Sequence, residues 1–200
     1  RRLPDLEAML AHTTFATYLA DLTRYALAKF ANGLASSDVV AGFVRYRKYA
    51  RSDVFRILGA KENPVAQNVG GYLIDSEERA WCAVFVTYQK HEGIAATTQY
   101  EDAFLDRETI RYFSKSRRTM QSPDVQYLYN ADTNHRLPLF VKKSDDEGTD
   151  FYYIGDMSPV RTGFKQESMS DGKGGQVPVV EMTMRLDQPV EEGLYGYLTA

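Results

Sequence analysis

Trp81-Cys82-Ala83-Val84-Phe85-Val86-Thr87-Tyr88 is an eight-residue run of apolar, β-branched and aromatic side chains without glycine, proline or charge, and it reads as a strand. Working outward, short apolar runs and periods of two recur at Gly71 to Asp75, Leu137 to Lys142, Phe151 to Met157 and Val177 to Leu186. Turn signals separate them: Glu62-Asn63-Pro64, His91-Glu92-Gly93, Asp145-Asp146-Glu147-Gly148 and Ser170 to Gly175. Within this part only Glu108 to Phe113 and Ser122 to Tyr129 suggest helix, the second opened by Ser122-Pro123-Asp124. Upstream the period changes. Leu6, Met9, Leu10, Phe15, Tyr18, Leu19, Leu22, Tyr25, Ala26 and Phe30 recur at helical spacing up to Asn32-Gly33. Ser36-Ser37-Asp38 then offers a cap for a second short segment carrying Val39, Val40, Phe43 and Val44. Ser52 or Asp53 caps a third helix that ends at Gly59. The expected fold class is α+β, with N-terminal helices followed by a mostly antiparallel, barrel-like sheet.

The chain of 200 residues suits one domain, or one domain with a helical appendage. Apolar residues at 44% and charged residues at 26% are values of a globular protein. No apolar run is long enough for a transmembrane helix, so no membrane partner is expected. The start Arg1-Arg2-Leu3-Pro4, without methionine or a signal peptide, is expected to come from an excised piece of a longer protein. Cys82 is the single cysteine and has no internal disulfide partner, which favours a reducing, cytoplasmic setting. His12, His91 and His135 show no metal-ligand spacing.

The net charge of -3 hides two basic stretches. Arg45, Arg47, Lys48, Arg51, Arg56 and Lys61 stand against Asp53 alone, and Arg107, Arg111, Lys115, Arg117 and Arg118 against Glu108 alone. Both are interleaved with aromatics, which points to an anionic partner, although a charge run also serves as a plain solvated face. Catalytic patterns are missing: there is no Walker-type loop, no nucleophile elbow and no deaminase zinc arrangement. Glu101 and Asp102 are adjacent carboxylates, and on extended chain adjacent side chains diverge, so they make a poor acid/base pair. Asn68-Val69-Gly70-Gly71-Tyr72 places a glycine pair at a strand entry, as a tight turn or a close backbone approach requires. From Tyr88 to Thr119 the chain collects Tyr88, Tyr100, Asp102, Phe104, Tyr112, Phe113, Ser114, Ser116, Arg117 and Arg118. Flat rings, donors and acceptors, and nearby arginines are what a pocket for an extruded base needs. The same aromatics also serve as core, and both readings stay open at this point.

Arg51-Ser52-Asp53-Val54, Asn63-Pro64, Asn68-Val69-Gly70-Gly71-Tyr72, Phe85-Val86-Thr87-Tyr88, Tyr100-Glu101-Asp102-Ala103-Phe104, Ser114-Lys115-Ser116-Arg117-Arg118-Thr119, Leu139 to Gly148 and Asp150-Phe151-Tyr152-Tyr153 occur in order. Over residues 46 to 199 they resemble a C-terminal domain of formerly unknown function. That domain ends long bacterial proteins carrying a phospholipase D-like nuclease and a superfamily-two helicase, among them type IV, modification-dependent restriction enzymes. The resemblance divides the chain into a helical leader, 1–58, and a modified-DNA-binding domain, 59–200. It implies that this part is not itself the enzyme but binds duplex DNA containing 5-methylcytosine or 5-hydroxymethylcytosine. ATP and magnesium would belong to the parent chain, whose helicase and nuclease domains would be its partners, and a homodimer stays open. The domain is also similar to SRA domains, of PUA-like barrel fold, which flip 5-methylcytosine and hold it between two tyrosines. Their Tyr-Glu-Asp and a tyrosine twelve residues later correspond to Tyr100-Glu101-Asp102 and Tyr112, with Ala103 where many of them place the cytosine-reading carboxylate. The implied base pocket is Tyr100, Asp102 and Tyr112 with Tyr88, Phe104, Asn68 and Tyr72. The implied DNA-backbone set is Arg45, Arg47, Lys48, Arg51, Lys115, Ser116, Arg117 and Arg118. The alternative from another class is a protein-interaction or dimerisation domain coupling motor to nuclease.

Overall fold

The computed structural model describes residues 4–34, 39–61, 64–65, 69–89, 102–170 and 174–200. The chain divides into two compact units, residues 1–44 and 45–200. The first contains α1 (Pro4–Leu10), α2 (Thr13–Leu34) and a hairpin of β1 (Val39–Val40) and β2 (Phe43–Val44). The hairpin replaces the short capped segment expected there. Ala41 and Gly42 both have positive φ, 43° and 96°, which is the turn that matches strand twist and closes a two-residue hairpin.

The second unit holds α3 (Arg51–Ile57) and β3 (Lys48–Tyr49), followed by β4 (Tyr72–Ile74), β5 (Cys82–Gln89), β6 (Ala103–Phe104) and β7 (Thr109–Phe113). Then come α4 (Pro123–Asn130), β8 (Pro138–Ser144), β9 (Phe151–Pro159), β10 (Lys165–Ser170), β11 (Gln176–Leu186) and α5 (Glu192–Thr199). α3 falls within this second unit, with Val54 and Phe55 buried. It starts one residue before the expected caps, behind Ala50, and stops at Gly59 with φ 76°.

Strand order is β4-β5-β8-β9-β11-β7-β6, with β3 also on β9 and β10 also on β11. Among the described strands only β5 and β8 pair in parallel. The expected closed barrel is not formed. Closure needs the end strands to bond to each other in staggered register. Here the ends are β4, with three residues, and β6, with two, and they do not pair. Instead the eleven-residue β11 shares one edge between β9 and β10 and so branches the sheet. One 3-10 turn, Arg161–Gly163, joins β9 to β10, and a Cβ on Gly163 would collide with the Thr183 side chain.

The expected helix at Glu108 to Phe113 is strand β7. Ile110 and Tyr112 are buried while Thr109, Arg111 and Phe113 are less so, a period of two that pairs β7 with β11 on one side and β6 on the other. Both faces of the sheet are covered. Cys82, Val84, Val86, Leu139, Val141, Ile154, Met182 and Met184 pack with Val125 and Leu128 of α4 and Leu198 of α5. The other face carries rings: Phe85 stacks on Phe140 at 5.2 Å and meets Phe151 and Phe55 edge-on at 5.3 and 5.9 Å. Each such pair contributes about 0.5–1.5 kcal/mol beyond area burial.

Candidate nucleic-acid interface

The residues singled out by sequence separate into three groups. The first converges. Tyr72 on β4, Lys115 and Arg118 on the β7–α4 connection, and Asp124 at the start of α4 line one open cavity of about 520 Å³, with Arg79 and Ser122 at its edge. Its position follows from the register: Tyr72 and Ile74 lie two apart on β4, on the face that β5 fills with Val84 and Cys82. Lys115 and Arg118 arrive there because Ser114 ties the end of β7 to β11. Its backbone N–H donates to the Val180 carbonyl and its hydroxyl accepts from the Val180 N–H, each at 2.9 Å. Between the two cations the chain turns through exposed Ser116 and Arg117, the latter at φ 63°, a left-handed conformation uncommon outside glycine. Arg118 N–H then donates to Pro178 O at 3.0 Å.

Asp124 organises the cavity. Its Oδ2 accepts from the Tyr72 hydroxyl at 2.6 Å and from Arg118 Nε at 2.8 Å, and its Oδ1 accepts from the Val125 N–H at 3.1 Å. Burial pushes its carboxyl up, but the hydrogen bonds from Tyr72 and Arg118 and the Arg118 charge outweigh this and hold it below the usual carboxylate range. Burial and the bond to Asp124 push the Tyr72 phenol far upward, so it stays a donor. The Lys115 ammonium rests 4.6 Å from the centre of the Tyr72 ring, and the Arg79 guanidinium 4.9 Å from that of Tyr127, whose hydroxyl donates to Arg79 O. Three cations with one carboxylate make this a basic cradle, suited to phosphate oxygens.

The second group is packed shut. Tyr72 is 1% exposed with Lys115 on its ring, so it offers no open face for stacking. Tyr112 is 2% exposed, and its hydroxyl is buried without a hydrogen-bond partner among the described residues. Phe104 is buried, stacked at 6.1 Å on half-buried Tyr88 and edge-on to Tyr195. Asp102 Oδ1 accepts from the Phe113 N–H at 2.9 Å and so clips the chain entering β6 to β7. Tyr100 and Asn68 lie outside the described residues.

The four residues of the first basic stretch assigned to the DNA backbone form the third group, and three of them are turned inward, while Arg56 and Lys61 of the same stretch are exposed and pair with Asp53 and Glu77. Arg45 donates to Ile154 O, Gln188 Oε1 and Pro189 O at 3.1, 2.5 and 3.1 Å. Lys48 lies over the Tyr152 ring and 3.9 Å from Glu147. Arg51 lies against Phe85 and Phe151, and Arg47 alone of the four is exposed. Sequence reading missed Arg79 and Asp124. The signal for Asp124 was present in Ser122-Pro123-Asp124, which reads as a helix start and here also supplies the carboxylate.

Among the described residues no group of three or more His, Cys, Asp or Glu is placed to hold a metal ion, and no helix is long and apolar enough to cross a membrane. Residues 43–198 match the family described as Domain of unknown function (DUF3427), and the chain belongs to that family. The match covers nearly the residues over which the ordered motifs run. No curated protein sequence matches the chain. Among solved structures it is similar to the DNA modification-dependent restriction endonuclease AspBHI, at 13% identity and a TM-score of 0.51, covering 80% of this chain and 83% of that one. It is also similar to the MspJI restriction endonuclease in complex with a 27-mer oligonucleotide, at 14% identity and a TM-score of 0.42, covering 76% and 39% of the two chains. A third likeness is to the sulfur binding and SRA domains of ScoMcrA complexed with phosphorothioated DNA, at 10% identity and a TM-score of 0.46, covering 79% and 45%.

Proposed function

We propose that this member of the DUF3427 family is the DNA-recognition module of a modification-dependent restriction enzyme, itself without catalysis, that binds duplex DNA containing 5-methylcytosine or 5-hydroxymethylcytosine. The observation that carries the reading is the cradle of Lys115, Arg118 and Arg79 around Asp124, which places two cations of the second basic stretch and one from outside it at one cavity. Phosphate contacts of this kind position a protein on the duplex. The fold it shares with a protein named as a DNA modification-dependent restriction endonuclease supports the reading at the level of fold. Base flipping remains part of the proposal. With Tyr72, Phe104 and Tyr112 closed, the stacking faces fall to Tyr88 and Tyr100. ATP, magnesium, the helicase and the nuclease belong to the rest of a longer parent chain in the cytoplasm.

The test is a titration of this chain with matched methylated and unmethylated duplexes across a salt series. Replacing Lys115 and Arg118 by alanine should weaken both duplexes alike and reduce the salt slope by roughly 0.9 for each phosphate the protein no longer neutralises. Tyr100→Ala should reduce binding of the methylated duplex selectively, roughly five- to hundredfold if the ring stacks on the base. A wild-type chain that binds both duplexes equally would refute modified-base reading, and an unchanged salt slope would remove the cradle from the DNA. A second reading rests on α2, which exposes Tyr18, Leu22, Tyr25 and Leu27; an exposed apolar set of that kind favours a protein-interaction role for the helical unit.

A further inference from the structure

The sheet face opposite the cradle holds another cavity, of about 320 Å³, lined by Arg51, Ser52, Thr87, Lys142, Asp145 and Phe151 together with Ala50 and Thr149. Thr87 and Lys142 are register partners on the parallel strands β5 and β8, on the side of the sheet that carries Phe85 and Phe140. The Lys142 side chain is only 9% exposed. Its ammonium donates to Gly148 O at 3.1 Å, pairs with Asp145 Oδ1 at 2.8 Å and lies 5.0 Å from the centre of the Phe151 ring. A lysine ammonium has three donors, and the protein supplies two acceptors. The Arg51 guanidinium stands 5.1 and 5.0 Å from the centres of the Phe85 and Phe151 rings, where burial lowers its pKa against the opposing pull of Asp145. The lining thus holds two cations and one carboxylate, and that carboxylate belongs to a side chain 55% exposed on a one-turn 3-10 helix, Asp145–Glu147. Among the described residues the hydroxyls of Ser52 and Thr87 make no hydrogen bond. Closing a protein over lysine and arginine charges is unfavourable unless an anion accompanies them.

We propose that this cavity is a second ligand site, for a tetrahedral oxyanion of the phosphate class, held by Lys142 and Arg51 with Ser52 and Thr87 as hydroxyl donors and with Asp145 as the internal competitor. The chemistry favours an oxyanion over a base, because Phe151 is 2% exposed and offers no ring face for stacking. The site stands independently of the DNA-recognition reading, since it lies on the other face of the sheet and shares no residue with the cradle. The same phosphoryl chemistry comes from free phosphate or from a nucleotide.

Isothermal titration of the whole 200-residue chain at constant ionic strength tests it, with inorganic phosphate in one arm and AMP in the other. Saturable binding of one phosphate per chain is expected. Thr87→Val, which keeps the shape and removes one hydroxyl, should weaken it about tenfold or more. Lys142→Met should abolish it, and Asp145→Asn, which removes the competing charge while its amide oxygen still accepts from the Lys142 ammonium, should tighten it several-fold in protein first shown folded by its thermal unfolding. AMP binding more tightly than phosphate identifies a nucleotide as the source, and the reverse identifies free phosphate. No saturable binding by the wild-type chain overturns the proposal. So does binding that Thr87→Val and Asp145→Asn leave unchanged, or phosphate that duplex DNA displaces.

Discussion

Replacing Asp124 by asparagine tests the cradle where its geometry is most explicit. The amide keeps the shape but removes the charge that accepts from the Tyr72 hydroxyl and Arg118 Nε. A hydrogen bond to a charged group contributes about 1.5–3 kcal/mol, and the Tyr72 bond, made by a phenol 1% exposed, belongs in that range. The Arg118 bond does not, because the arginine side chain is 39% exposed; solvent screening reduces it to about 0.2–1 kcal/mol. The sum is about 2–4 kcal/mol, less whatever the amide oxygen retains, so a loss of about 2–3 kcal/mol is expected, or about 4–12 °C in Tm for a chain of this length. The pH dependence supplies the sign. Asp124 is held below the usual carboxylate range when folded, so its stabilisation is complete above the unfolded value, about 3.9, and is lost as pH falls through the lower folded value. Thermal unfolding of wild type and variant should therefore differ most near neutrality and converge in acid below about pH 3.9. A variant within experimental error of wild type at pH 7, or a difference that does not shrink in acid, would refute the account of Asp124 as the ionised organiser of the cavity.

Tyr112→Phe should leave stability unchanged or slightly raised, because the hydroxyl it removes is buried and meets no partner among the described residues, whereas Tyr112→Ala should cost about 3–5 kcal/mol in denaturant unfolding; the opposite pattern would show the phenol to be engaged. Arg45→Ala should lower stability by about 1–3 kcal/mol through its bonds to Ile154, Gln188 and Pro189 while leaving the salt slope of DNA binding unchanged; a reduced slope would place Arg45 on the DNA. Cys82, buried and with burial pushing its thiol far up, should react with a thiol reagent at neutral pH only as fast as the protein unfolds, and rapid native labelling would contradict its place in the core.

The alternation and β-branched content of Trp81 to Tyr88, Phe151 to Met157 and Val177 to Leu186 determined strands by themselves, since local sterics and a buried run leave few other conformations. Gly59 and Ser122-Pro123-Asp124 likewise ended and began helices through backbone preferences that act within a few residues. Glu108 to Phe113 was legible both ways, because five or six residues are too few to separate a helical period from a strand period, and pairing with β6 and β11 decided it. Charge counting located Lys115 and Arg118 but gave the same weight to Arg45, Lys48 and Arg51, which the fold turns onto carbonyls and rings. The composition of a stretch does not carry its direction. That Asp124, 52 positions from Tyr72, supplies the carboxylate its hydroxyl meets depends on how β4, β7 and α4 pack, a long-range juxtaposition that no local pattern encodes.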